Sequence, residues 1–127
     1  MAEAILDSSV ILAILKGEAL QVSVLDIVEG AVMSAVNLTE VLTRLSDLGM
    51  TASPKSDLLL GLLDRIEPFL EKQARTSAAL RRETSHVGLS LGDRACLALA
   101  LELGGEVYTT DRLWSGLRIG CPIHLLR

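Results

Sequence analysis

Short apolar runs alternate with longer amphipathic stretches along the whole chain. Ala4 to Leu6 is apolar and ends at Asp7-Ser8-Ser9, after which Val10 to Leu15 continues with helix-compatible aliphatics as far as Lys16-Gly17. This predicts a strand, a turn and a helix. A second helix is expected over Glu18 to Glu29, stopped by Gly30, and Ala31 to Val36 reads as a buried strand. Asn37 opens the next helix, whose Leu38, Val41, Leu42, Leu45 and Leu48 recur at helical spacing, with Gly49 placed as its C-terminal cap.

Ser53-Pro54 has the form of a helix start, with serine as the cap and proline at the first helical position, and the apolar face runs on through Leu58 to Leu63 toward Arg65. Ile66 to Leu70 reads as a short strand that Pro68 restricts to an edge or an irregular piece. Glu71 to Glu83 is a polar, basic helix and Thr84 to Gly92 a loop of small residues. Asp93 to Leu103 contains an unbroken apolar stretch from Ala95 to Leu101, which implies a helix buried almost all round and ended by Gly104-Gly105. Glu106 to Thr110 reads as a strand, Asp111 to Leu117 as a short helix and Pro122 to Leu126 as a last strand. Strands and helices alternate with connections long enough for parallel pairing. The fold class is therefore a three-layer α/β/α domain with a central, mainly parallel sheet of four to five strands.

At 127 residues the chain is expected to be one domain over 1–127, with no internal repeat or linker. It is 50% hydrophobic, with a mean hydropathy of +0.43, which exceeds what such a core needs and leaves apolar surface for another subunit or partner. A net charge of −4 argues against a protein that coats nucleic acid by neutralising phosphates, and 2% aromatics cannot furnish a base-stacking platform. Cys96 and Cys121 are isolated and apolar in context, so free thiols in a reducing compartment are expected. The N-terminal apolar run lacks a basic start and is interrupted by Asp7, and no run reaches the roughly 20 apolar residues of a membrane span. The expected location is cytoplasmic, with no membrane contact.

Candidate chemistry sits at the junctions. Asp7, Glu40, Asp93 and Asp111 each fall where a strand-like run gives way to a helical pattern, and in an open parallel sheet those junctions share one rim. Two carboxylates ~5 Å apart repel by roughly 3 kcal/mol at an effective dielectric of ~20, so a shared pocket calls for a divalent cation. Capping is the competing reading. Asp7 and Asp111 suit N-cap positions, and Asn37-Leu38-Thr39-Glu40 and Ser90-Leu91-Gly92-Asp93 both have the form of a capping box. Capping alone leaves unexplained why each junction uses an acid where Ser, Thr or Asn would serve. The hydroxyls of Ser8, Ser9, Thr109 and Thr110 lie close by in sequence and suit a second layer around a metal.

The segments ILDSSVILAIL, NLTEVL, GLSLGDRACLALALELG and VYTTDRLW resemble, in order and spacing, the motifs of PIN-domain proteins, in particular the VapC-like toxins of bacterial toxin–antitoxin pairs. The resemblance spans nearly the whole chain. It implies a divalent-metal-dependent ribonuclease with Asp7, Glu40, Asp93 and Asp111 as the acidic site, a homodimer and a cognate antitoxin partner. Some members carry a further acid one turn after the last aspartate, where this chain has Trp114, so the number of metals stays open.

Carboxylates are hard ligands suited to Mg²⁺ or Mn²⁺, and no Cys/His cluster favours zinc. Asp7, Asp93 and Asp111 are the expected ligands, with Glu40 positioning or deprotonating the attacking water. Arg94 and Arg112 each follow an acid and are candidates for the scissile phosphate, with a surface salt bridge as the alternative. Arg81 and Arg82, with Lys72 and Arg75, offer either a track for the RNA backbone or a solvated face. His86, His124 and Trp114 are expected to be structural. A receiver domain would need paired acids after the first strand and a late lysine, and a haloacid-dehalogenase phosphatase an Asp where Ser9 stands. The remaining alternatives are a catalytically silent binding module of the same fold and a nuclease for structured DNA, because preference for RNA rests on the resemblance alone.

Overall fold

The computed structural model describes residues 2–51 and 53–127. Strands β1 (Ala4–Leu6), β2 (Val32–Ser34), β3 (Arg65–Glu67), β4 (Glu106–Thr109) and β5 (Ile123–Leu125) form one sheet in the order β3-β2-β1-β4-β5. Every neighbouring pair is parallel, and Ile5 stands in register with Val32 on one side and Val107 on the other. The helices are α1 (Ser8–Leu15), α2 (Val24–Val28), α3 (Ala35–Asp47), α4 (Pro54–Leu60), α5 (Glu71–Thr84) and α6 (Leu91–Leu103), with 3₁₀ turns at Ser85–Val87 and Arg112–Trp114.

Successive strand residues face opposite sides of a sheet, and the central strands use this to build two cores. Leu6 and Met33 pack with Val10, Ile14, Val28, Val41, Leu45 and Leu59 on one face. Their neighbours Ile5 and Val32 join Val107, Leu80 and the Cys96–Ala100 stretch of α6 on the other. The result is the three-layer α/β/α arrangement. Ala95 to Ala100 are each 0% exposed, as the unbroken apolar run predicts. From β1 the chain winds outward through β2 to β3, then returns to lay β4 on the other side of β1. Winding therefore reverses between β1 and β4, and ligand crevices of open parallel sheets form outside the carboxyl ends at such reversals.

Several boundaries differ from the sequence expectation. Only Val24–Val28 is helical within the 18–29 segment, whose upstream part is tied to the residue just after β5 by a Gln21 N–H bond to the Leu126 carbonyl. α3 starts at Ala35, because the Ser34 hydroxyl accepts the Val36 N–H and caps it, so Asn37 lies inside the helix. Its buried row is then Asn37, Val41 and Leu45, and Leu42 and Leu48 are exposed. β3 begins at Arg65, ahead of Pro68, and is an edge strand as that proline requires. The Asp111–Leu117 helix is a single 3₁₀ turn, and the 84–92 segment contains another and the first turn of α6. Both cysteines are free, Cys96 buried and Cys121 half-buried. No helix among the described residues is long and apolar enough to cross a membrane.

Candidate functional site

Asp7 is the first residue beyond β1, and its N–H donates to the Tyr108 carbonyl of β4 at 3.0 Å, seating it at the winding reversal. It is 3% exposed. The Ser9 hydroxyl (2.7 Å) and the Thr109 hydroxyl (2.9 Å) both donate to its Oδ2. Its Oδ1 is buried without a partner among the described residues. Although Asp7 holds the N-cap position of α1, its side chain makes no capping bond, so helix capping does not account for it. Burial pushes its carboxyl up to about 6, against the pull of the two hydroxyls and reinforced by the charges of Asp93 and Glu40.

Glu40 Oε1 accepts from Ser8 Oγ at 3.1 Å and from Asn37 Nδ2 at 2.9 Å. Nδ2 of Asn37 also donates to the Gly92 carbonyl at 3.0 Å, joining α3 to the first turn of α6. Gly92 leaves room for the Glu40 carboxylate, which a Cβ at that position would displace. The expected Asn37-to-Glu40 capping box does not form, because the helix has already begun. The Ser90-to-Asp93 box does form, with the Ser90 N–H donating to Asp93 Oδ2 (2.9 Å) and the Asp93 N–H to Ser90 Oγ (3.2 Å).

Asp111 caps its 3₁₀ turn, Oδ1 accepting from the Leu113 N–H at 2.9 Å. Its own N–H donates to Thr109 Oγ1 at 3.1 Å, one link from Asp7. Asp7, Glu40 and Asp93 thus lie within electrostatic range of one another, and Asp111 is connected through Thr109. Among the described residues no three His, Cys, Asp or Glu side chains are gathered closely enough to ligate one ion as they stand. The local caps give a reason, since Asp93 and Asp111 each commit one oxygen to a backbone donor.

The remaining candidates divide. The Thr110 N–H donates to Ser9 Oγ at 3.0 Å, and its hydroxyl accepts from Arg127 at 3.3 Å. Arg94 is turned to α5, where Nη1 donates to the Ser77 carbonyl at 2.9 Å. Arg81, Arg82 and Arg112 are exposed. His124 stacks on Tyr108 and bonds Glu106, and Trp114 is wholly buried, both in structural roles. Sequence reading placed Asn37 and Gly92 in separate capping boxes and missed the bond between them. The available signal was an Asn placed one helical turn before an acid on one face.

This is an open parallel α/β domain with hydroxyl-buttressed carboxylates at its winding reversal. The chain belongs to the PIN domain family, whose model matches residues 4–118. Among solved structures it is similar to VapBC2 from Rickettsia felis bound to a DNA fragment from its promoter, with a TM-score of 0.76, 18% identity and 98% of each chain covered. It is also similar to the DNA-bound VapBC of Salmonella typhimurium, with a TM-score of 0.73, 16% identity and 98% of each chain covered. VapBC-5 of Mycobacterium tuberculosis, a member of the VapBC toxin–antitoxin family, gives a TM-score of 0.61 at 22% identity, over 100% of this chain and 99% of that one. These likenesses are of fold. No curated protein sequence matches the chain.

Proposed function

We propose that residues 1–127 act as a single divalent-metal-dependent endoribonuclease, the toxin of a toxin–antitoxin pair. The observation that carries this reading is Asp7 Oδ1: a buried carboxylate oxygen without a partner among the described residues, in electrostatic range of two further carboxylates. Such an oxygen is costly to bury unless a cation balances it. Asp7, Asp93 and Asp111 would hold Mg²⁺ or Mn²⁺, the latter two through the oxygens their caps leave over. A bound ion supplies Lewis-acid chemistry toward water and the phosphodiester. Ser9 and Thr109 fix Oδ2 of Asp7 so that Oδ1 is the oxygen offered. Glu40, held by Ser8 and Asn37, orients the attacking water and takes its proton. Arg112, with Arg81 and Arg82, would meet the RNA backbone.

The choice of RNA and the toxin role draw on family membership and on likeness to VapBC complexes. An antitoxin and a second copy of the chain are the proposed protein partners. Supporting this, Leu25 and Leu58 are 57% and 73% exposed and border an apolar groove of about 330 Å³ with Ile14, Val24, Leu59 and Leu62. The test is cleavage of labelled RNA and matched DNA with Mg²⁺, Mn²⁺ or chelator, beside an identically prepared Asp7→Asn variant. Metal-dependent cutting of RNA that the folded variant lacks is the expected result. Cutting of DNA alone, or equal cutting by both proteins, would overturn it.

A further inference from the structure

We infer that Asn37 is a positioning residue for the acidic site: from inside α3 it clamps the Glu40 carboxylate to the first turn of α6, where Gly92 leaves room for it. The inference deepens the metal-site reading above and rests on it. Asn37 is 0% exposed and stands one turn before Glu40 on the same helix. Both partners of its Nδ2 are acceptors, the Glu40 carboxylate and the Gly92 carbonyl, which fixes the orientation of the amide, since a flip would set oxygen against two oxygens.

One carboxylate oxygen of Glu40 is thereby held and the other is given room. Oε1 receives the donors from Ser8 and Asn37, and Oε2 lies where a Cβ on residue 92 would stand. Ser8 directly follows Asp7 and Gly92 directly precedes Asp93, so this grip ties Glu40 to the residues next to both acids. A mere strut between α3 and α6 would explain less. Asn37 Oδ1 is buried with no partner among the described residues, a cost that an isosteric leucine at this helix–helix contact would not carry. Asparagine at this position makes sense through what its amide N–H groups hold.

The deciding measurement is calorimetric titration with Mn²⁺ alone of the wild type, Asn37→Leu, Glu40→Ala and the double variant, each checked for folding by circular dichroism. Leucine fills the volume without the donor, and Asn37→Ser serves if the leucine variant does not fold. If Asn37 acts through Glu40, removing it weakens Mn²⁺ binding about tenfold in the wild-type background and not at all in the Glu40→Ala background. An equal loss in both backgrounds, or no loss in either, overturns the inference. A wild type that binds Mn²⁺ but cuts no RNA sinks only the nuclease reading, because the coupling between Asn37 and Glu40 is still read from binding. A wild type that binds no Mn²⁺ sinks both.

Discussion

The Thr109 hydroxyl donates to Asp7 Oδ2 at 2.9 Å while its oxygen accepts the Asp111 N–H at 3.1 Å, so one side chain at the end of β4 orients two acids. Thr109 is fully buried. Thr109→Val keeps the shape and removes both contacts, leaving a buried carboxylate with one donor fewer. The expected cost is about 1–3 kcal/mol of unfolding free energy. Urea titration should show a larger loss at pH 8, where Asp7 is charged, than at pH 5. An equal loss at both would mean that the bond does not favour the carboxylate form.

The parallel sheet and the layers, though not the strand order, were legible because β1, β2 and β4 are short apolar runs with alternate residues filling separate cores, and because the 95–101 run has no polar face. Asp7, Asp93 and Asp111 were legible as junction residues, whereas Glu40 lies in the second turn of α3 and not at the junction the pattern suggested. What a linear pattern hides is the helix start at Ser34. With the cap of α3 three residues earlier, Asn37 changes from a cap into a buried link to α6, and the buried row keeps Val41 and Leu45 but loses Leu42 and Leu48. The aim of Arg94 was equally hidden, since its partner is a backbone carbonyl 17 residues away. Contacts between elements such as Glu40 to Gly92 have no periodicity to betray them.

Without metal, Asp7 should make the protein more stable in mild acid. Its folded carboxyl titrates at about 6 against an ordinary 3.8, so between those values the native state holds more protons than the unfolded chain. Stability contributed by this group is therefore complete below pH ~4 and lost as pH rises through ~6, by roughly 3 kcal/mol in all. Asp7→Asn should remove that slope and, in chelator at pH 8, be the more stable protein, while losing the Mn²⁺-dependent rise in melting temperature expected of the wild type. Denaturation series at pH 4.5 and 8, with and without Mn²⁺, check both halves.

Arg94 and Arg112 should separate cleanly although each follows an acid. Arg94 donates to the Ser77 carbonyl and its Nε is buried, so Arg94→Met should lower stability by about 1–3 kcal/mol with little change in RNA binding. Arg112 is exposed, and Arg112→Ala should leave the melting temperature alone. If it meets one phosphate, RNA affinity falls and the slope of log K against log salt shrinks by roughly 0.7. Binding isotherms across salt concentrations, on a variant that does not cut, would separate the two.

Gly92→Ala is the smallest change that should displace Glu40. α6 opens against α3 with no side chain at this position, and an added methyl overlaps the Glu40 carboxylate. Two responses exist. The helices can part, at a cost of about 1–3 kcal/mol for an overpacked contact, or Glu40 can swing out and abandon Ser8 and Asn37. Either way the residue proposed to take a proton from water moves, and a displacement of that kind lowers kcat by about 100-fold with KM little changed. A cycle with Glu40→Ala tells steric displacement from a general weakening of α6. Truncating Glu40 removes the overlapped atoms, so Gly92→Ala should then cost almost nothing in stability, whereas a helix-propensity or backbone effect would persist in both backgrounds.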